Sequence, residues 1–266
     1  MTPAAIERQR IPSGSRRGRP LRPGQRALLG ELLPRLAIAP PAAGERLDPG
    51  ALFAEPKRDV WLEIGFGSGE HLAWQARARP DVGMIGCEFF VNGVARLLAH
   101  VRDDGLANLR VFVDDARLLL EALPEASIGR AFLLFPDPWP KKRHHKRRFI
   151  SPETLELLAA ALEDGAELRL ASDDGPYVRW ILERTLTHAA FDWLAETAQD
   201  WRERPGDWPE TRYEAKARRC GRACYYLRFR RRSRRPCGSR RPTAAATAAA
   251  LEKGARAHVT AAEKTP

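Results

Sequence analysis

From Val60 onward, short apolar runs alternate with stretches of helical periodicity, and no other feature of this chain restricts its fold so tightly. The spacing predicts strands near 60–65, 84–89, 109–115, 130–136 and 167–172, with helices near 69–78, 91–104, 151–163 and 176–189. Consecutive strands separated by helices must run parallel, because each crossover carries the chain back to the same end of the sheet. The expected fold class is therefore α/β, with a mostly parallel sheet covered by helices on both faces. Two later apolar runs, 191–194 and 224–230, have no strong helix between them and predict an antiparallel pair at the sheet edge. The helix near 151–163 carries the clearest punctuation: Ser151 as N-cap, Pro152 in the first turn, Leu155, Leu158, Ala159 and Leu162 at helical spacing, and Gly165 to close it.

A chain of 266 residues can bury one large core, so a single catalytic domain at 25–231 is expected between a basic arm (1–24) and an Arg/Ala-rich tail (232–266). A short helix near 25–36 opens that domain, with Leu28, Leu29, Leu32, Leu33 and Leu36 close to one face. The formal net charge is +11. Residues 1–30 hold seven basic and one acidic residue and residues 231–266 hold nine and two, so the ends carry the positive excess and the middle is close to neutral. Such a distribution suits a polyanion binder whose chemistry lies elsewhere in the chain, and nucleic acid is the expected polyanion. Cys87, Cys220, Cys224 and Cys237 form neither a C-x-x-C pair nor a disulfide-framework spacing, which implies a reducing compartment. No window approaches the roughly 20 apolar residues of a membrane helix, so a soluble, cytoplasmic protein is expected.

The run VWLEIGFGSGE at 60–70 leads a strand into a glycine turn and then a helix, an arrangement that lets backbone approach a nucleotide closely. Gly65, Gly67 and Gly69 by themselves are weak evidence; the acids are more telling. Glu63 lies just before the turn and Glu70 takes the place of the third glycine of a dinucleotide fingerprint, so a pyrophosphate would meet two carboxylates. S-Adenosylmethionine carries a sulfonium and an ammonium and no phosphate, and an acidic rim favours it. Glu88 ends the next strand and could bind ribose hydroxyls, while Asp114 and Asp115 follow the third strand and could accept from an adenine amino group. Asp115 has an alternative reading as a helix cap.

The string FPDPWPKKRHHKRRF at 135–149 places Asp137 and Trp139 just beyond a buried strand's carboxyl end, where open α/β sheets present their sites. Pro136, Pro138 and Pro140 fix φ and remove donors, which stiffens the base of the loop. Lys141, Lys142, Arg143, Lys146, Arg147 and Arg148, with His144 and His145 between them, have no acid among them, a composition suited to a phosphate backbone.

These segments, together with RRGRPLRPGQ at 16–25, GCEFFVNG at 86–93, ASDDGPY at 171–177 and TRYEAKARR at 211–219, resemble the bacterial tRNA (guanine-N7-)-methyltransferases over roughly residues 13 to 231. The resemblance implies a class I (Rossmann-like) methyltransferase fold and transfer of a methyl group from S-adenosyl-L-methionine to N7 of a guanine in the tRNA variable loop. It implies cofactor contacts from Glu63, Gly65, Gly67, Glu88, Asp115 and Asp137, with Asp137 at the reaction centre. Lys141, Asp173, Thr211, Arg212, Tyr213 and Glu214 would contact substrate, and Arg143, His144, His145, Lys146, Arg147 and Arg148 would form the RNA-binding loop. No metal is expected, tRNA is the expected partner, and the state is a monomer or homodimer. Three substrate assignments have structural alternatives: Asp173 as a helix cap, Glu214 paired with Arg218, and Tyr213 in the core. Trp193, Trp201 and Trp208 read as core or loop anchors. A non-catalytic RNA-binding subunit and a small-molecule methyltransferase are the competing classes; the retained acids disfavour the first and the cationic loop the second.

Overall fold

The computed structural model describes residues 18–42 and 44–234. Helices α1 (Pro23–Glu31) and α2 (Leu33–Leu36) precede β1 (Asp59–Ile64), α3 (Glu70–Ala78), β2 (Val82–Cys87), α4 (Val91–Asp104), β3 (Leu109–Phe112), α5 (Ala116–Ala122) and β4 (Ile128–Leu134). A 3-10 turn at 142–147 leads to α6 (Pro152–Ala161), β5 (Leu162–Ser172), α7 (Gly175–Thr185), β6 (Phe191–Trp193), α8 (Gln199–Arg202), α9 (Arg212–Arg219) and β7 (Tyr225–Arg231). The strands form one sheet in the order β3-β2-β1-β4-β5-β7-β6. Pairings from β3 through β5 are parallel, and β7 runs antiparallel to both β5 and β6. This is a class I methyltransferase fold, with the expected antiparallel edge.

Both faces of the sheet are buried, as helices on either side require. Alternate residues of each strand serve the two layers: Val60, Leu62 and Ile64 of β1 pack with Ile85, Leu133, Leu158 and Ile181, whereas Trp61 packs with Met84, Phe132, Leu72 and Leu98. Strand order reverses between β1 and β4, so the loops leaving their carboxyl ends diverge to opposite faces and open a crevice there.

The structure corrects several boundaries. Ser151 accepts from Thr154 N as anticipated, but α6 stops at Ala161 and the chain passes straight into β5. Gly165, with φ +86°, lies in the irregular start of that strand, where the register slips between the Ile128↔Leu162 and Arg130↔Glu167 pairs, and does not cap the helix. β3 ends at Phe112, which frees Asp114 and Asp115 for the following turn. Helices α5, α8 and α9 are additional to the sequence expectation. α9 buries only Glu214 and Ala217, so it has no apolar stripe to read. At the amino end, Gly18 N donates to Asn92 Oδ1 (2.8 Å) and Asn92 Nδ2 to the Arg19 carbonyl (2.7 Å), so the last residues of the arm dock on α4. The rest of the arm and most of the tail lie outside the described residues. No helix among the described residues is long and apolar enough to cross a membrane.

Candidate active site

A cavity of about 390 Å³ opens at the carboxyl ends of β1 to β4. Ile64, Gly65 and Gly67 line it from the turn after β1, Glu88, Phe89 and Phe90 from the turn after β2, Asp114 and Asp115 from the turn after β3, and Phe135 to Asp137 with Trp139 from the loop after β4. Arg117, Arg147, Phe149 and Tyr213 complete the wall.

The glycine turn is held by Glu88. Its carboxylate accepts from Gly67 N (2.9 Å) and from Phe90 N (3.0 Å), so one side chain fixes both the turn after β1 and the start of α4. Each carboxylate oxygen keeps a lone pair for a ligand hydroxyl. Gly67 adopts φ +59°, and a Cβ at Gly93 of α4 would stand 2.1 Å from its carbonyl oxygen, so backbone meets backbone at this point. Burial pushes the Glu88 carboxyl above its ordinary value, with repulsion from Asp137 adding to it and the backbone amides of Phe90, Gly67 and Phe89 opposing it.

The loop after β4 is strained at both ends of the acid. Phe135 (φ +50°) and Trp139 (φ +45°) are left-handed non-glycine residues, each followed by proline. Such conformations cost on the order of 1–3 kcal/mol each and persist only where surroundings enforce them. Here the enforcement is visible: Phe135 N donates to the Ala171 carbonyl (2.8 Å), and Arg148 Nε donates to the Pro138 carbonyl (2.8 Å) while its guanidinium lies over Tyr177 and Trp180. Asp137, between them, makes no hydrogen bond or ion pair with the described residues. Its side chain is exposed at the cavity mouth, and the neighbouring walls still raise its carboxyl above the usual range by partial desolvation.

A family model described as "Putative methyltransferase" matches residues 57–227. The tRNA (guanine-N(7)-)-methyltransferase of Paramagnetospirillum magneticum is 54% identical over 232 residues, covering 87% of this chain and 96% of the relative. That of Rhodospirillum rubrum is 52% identical over 223 residues, covering 83% and 88%. The chain belongs to the tRNA (guanine-N(7)-)-methyltransferase family. Among solved structures, the 16S rRNA methyltransferase KamB is 19% identical, with a TM-score of 0.47 over 66% of this chain and 89% of its own.

Of the positions that the methyltransferase resemblance singled out, the structure gathers Gly65, Gly67, Glu88, Asp115, Asp137, Tyr213 and Arg147 on the cavity wall. Asp115 is also the N-cap of α5 and grips Arg117 with both carboxylate oxygens (2.6–3.0 Å), so its charge is largely matched. Glu63 is absent from the wall. Strand alternation turns it to the α3 face, where it is buried and bonds His71 Nδ1 at 2.7 Å. Glu214 is 2% exposed and accepts from Tyr226 Oη (2.7 Å) and Arg204 Nε (2.9 Å), which makes it a brace between α9 and β7. Thr211 is the N-cap of α9. Asp173 pairs with Arg222 (3.0 Å), and the α7 cap is its neighbour Asp174. Tyr213 is 41% exposed and packs on Gly67, not in the core.

The basic loop also divides. Lys141, Lys142, Arg143 and Lys146 are exposed, but Arg148 is buried under the loop as its pin. Arg147 lies over Trp139 (4.8 Å), His144 meets the same ring edge-on, and His145 meets Trp180. Sequence reasoning missed Arg117 and the walls Phe89 and Phe90; the signal for Arg117 was its place two residues after a candidate cap. Trp208 is 3% exposed, and Trp193 and Trp201 pack on Phe229 and Tyr225, so the three late tryptophans are anchors as expected.

Proposed function

We propose that this protein transfers the methyl group of S-adenosylmethionine to N7 of a guanine in the variable loop of tRNA. The observation that carries the reading is Asp137: a carboxylate at the cavity mouth with no partner among the described residues, on the same cavity as the Glu88-braced glycine turn and at the foot of a cationic arm. The residues present fit the cofactor. Glu88 has lone pairs that would take ribose hydroxyls, Asp114 in the turn after β3 would offer an acceptor to the adenine edge, and the close contact of Gly67 with Gly93 would let bare backbone approach the cofactor. When bound, S-adenosylmethionine supplies an electrophilic methyl group on a cationic sulfur.

Guanine N7 has an exposed lone pair and no proton to lose, so no general base is required. The N7–carbon bond forms as the carbon–sulfur bond breaks, sulfur keeps the electron pair, and the positive charge moves to the purine. Asp137 suits that change, because a fixed carboxylate in a partly dry wall favours the cation on either side of the transfer. It also suits the guanine edge: accepting from N1–H and the exocyclic amine leaves N7 free, and adenine would offer an acceptor there. Tyr213 and Trp139 present ring faces at the same cavity, and holding two reactants in line can lower a barrier by roughly 7–11 kcal/mol. The exposed cations of the arm suit the phosphates on either side of the target.

The test is methyl incorporation from labelled cofactor into bulk tRNA, followed by mapping of the modified nucleotide. Label at N7 of a variable-loop guanine is expected. Label in a small molecule, or in no guanosine at all, would end this reading.

A further inference from the structure

A second basic surface borders the cavity on its glycine-turn side. Arg19, Arg22 and Arg96 line a shallow cavity with Gln25 and Asn92, at the seam between the docked amino-terminal segment and α4. The seam is built closely: a Cβ on Gly18 would stand 2.8 Å from the ring of Phe90, which itself lines the main cavity. Ser68, 3% exposed and next to Gly67, accepts from Arg96 Nη1 (2.9 Å) and from Arg212 Nη1 (2.6 Å). One neutral hydroxyl therefore draws together two guanidinium groups, one from α4 and one from α9. No carboxylate among the described residues pairs with Arg19, Arg22, Arg96 or Arg212, whereas most other arginines of the fold have an acid or a backbone carbonyl. Like charges gathered without a counter-ion are the arrangement expected where an anion completes the site, and arginine forks match the oxygens of phosphate.

We propose that Arg19, Arg22, Arg96 and Arg212 form a phosphate groove for the tRNA backbone on the glycine-turn side of the cavity. The inference rests on the methyl-transfer reading above and deepens it: the strand carrying the target guanine is held at two points, by this groove and by the arm after β4. The groove adjoins the main cavity through Tyr213 and Gly67 on one side and Phe90 on the other, while Arg147 adjoins it from the arm. Two backbone contacts flanking one base fix its register and orientation without reading its sequence. Ser68 acts as a positioning residue, since it holds two of the guanidinium groups in place before the anion arrives.

The experiment uses the full chain, an unmodified tRNA transcript and two double variants. Arg22→Gln/Arg96→Gln removes two charges from the groove, and glutamine at 96 keeps a donor for Ser68. Arg77→Gln/Arg102→Gln removes two exposed charges whose partners are Asp104 and Asp103, outside the groove. For the groove variant, the KM for tRNA and the directly measured tRNA Kd are expected to rise about tenfold, and the slope of log affinity against log salt to fall by about one per arginine removed. The kcat and the Kd for S-adenosylhomocysteine should stay at the wild-type level. The single variant Arg22→Gln, at a position whose side chain holds no described contact, should show half of the slope change and serves if the double variant melts early. Equal behaviour of the groove and control variants would overturn the proposal. So would a groove variant that loses S-adenosylhomocysteine affinity while keeping tRNA affinity, which would assign the anion to the cofactor's carboxylate. A wild-type protein that binds tRNA in this groove but methylates nothing would instead sink the methyl-transfer reading and leave the groove standing.

Discussion

The cavity and the arm that rises from its wall solve opposite electrostatic problems. In the cavity, Glu88, Asp114, Asp115 and Asp137 are gathered at one rim; Asp115 is matched by an ion pair with Arg117, and Asp114 accepts from Asp115 N (2.8 Å). Backbone amides hold Glu88, and Asp137 is left to be matched by whatever enters. In the arm, eight consecutive basic or imidazole side chains have no acid among them, and aromatic rings take the place of counter-ions for Arg147 and Arg148. The lesson is that charge left unmatched by the fold marks where a ligand belongs. Charge that the fold has matched, as at Asp115, Glu214 and Arg148, does structural work even inside a motif.

Asp137 should break that comparison most sharply. Asp137→Ala is expected to lower kcat by on the order of 10²–10³-fold, the usual scale for removing one fixed electrostatic partner from a reaction centre. The melting temperature should hold, because an exposed carboxylate without a partner among the described residues contributes no contact to the fold. Steady-state kinetics on tRNA beside a melting curve reads both. Turnover within a few-fold of wild type would remove Asp137 from the chemistry. The contrasting variant is Glu214→Ala, which strips a buried brace and should cost about 3–5 kcal/mol of stability.

Next in size is Gly93→Ala. The new methyl group would stand 2.1 Å from the Gly67 carbonyl, so α4 or the turn must move. Overpacking of this kind costs about 1–3 kcal/mol, which corresponds to roughly 5–150-fold in S-adenosylhomocysteine affinity if the turn is what gives way. Calorimetric titration decides it, and unchanged affinity would show that the turn does not have to hold its shape for the cofactor.

How far the sequence revealed these two regions depended on whether the partners were neighbours in the chain. The β–α alternation and the glycine turn were legible because periodicity is local, and the motif after β4 announced its acid and its cations together. The direction of Glu63 was not legible for a definite reason: β1 is buried on both faces, so VWLEI reads alike whichever parity faces the cavity, and only the fold shows that 63 goes with Trp61 toward α3. The partners of Glu214 were not legible because Tyr226 and Arg204, which hold it, come from other parts of the chain. Arg147 and Arg148 are alike as letters; the Tyr177 and Trp180 rings beneath one of them come from a helix nearly thirty residues on.

That last distinction predicts a smaller, separable pair of effects. Arg148→Ala leaves the Pro138 carbonyl without its donor and uncovers two rings, a loss of about 1–3 kcal/mol. At about 2–4 °C per kcal/mol for a domain of this size, the melting temperature should fall by several degrees, with faster proteolysis in the 138–148 loop. Arg143→Ala should leave melting unchanged and reduce the salt slope of tRNA binding by about one. If Arg143→Ala destabilises the fold and Arg148→Ala does not, the division of the arm is wrong.

The smallest effect expected is on the pH dependence of cofactor binding, and its sign is informative. Burial, with repulsion from Asp137, raises Glu88 in the folded protein, and desolvation raises Asp137. For folding, a carboxyl raised above its unfolded value makes the ionised form costly at neutral pH, and that cost disappears as pH falls through the folded value. These two groups therefore do not drive acid unfolding. For binding the sign is opposite: ribose hydroxyls need an ionised Glu88 to accept from them, and a cationic sulfur is favoured by an ionised Asp137. Affinity should decline as pH falls toward the ordinary carboxylate range near 4, beginning above it because both groups are raised. The decline should be roughly a few-fold, steeper for S-adenosylmethionine than for the uncharged sulfur of S-adenosylhomocysteine, and Asp137→Asn should abolish that difference. Calorimetric titration at several pH values on protein confirmed as folded makes the measurement. Identical pH profiles for the two ligands would mean that Asp137 does not face the sulfur, leaving its role to the guanine edge alone.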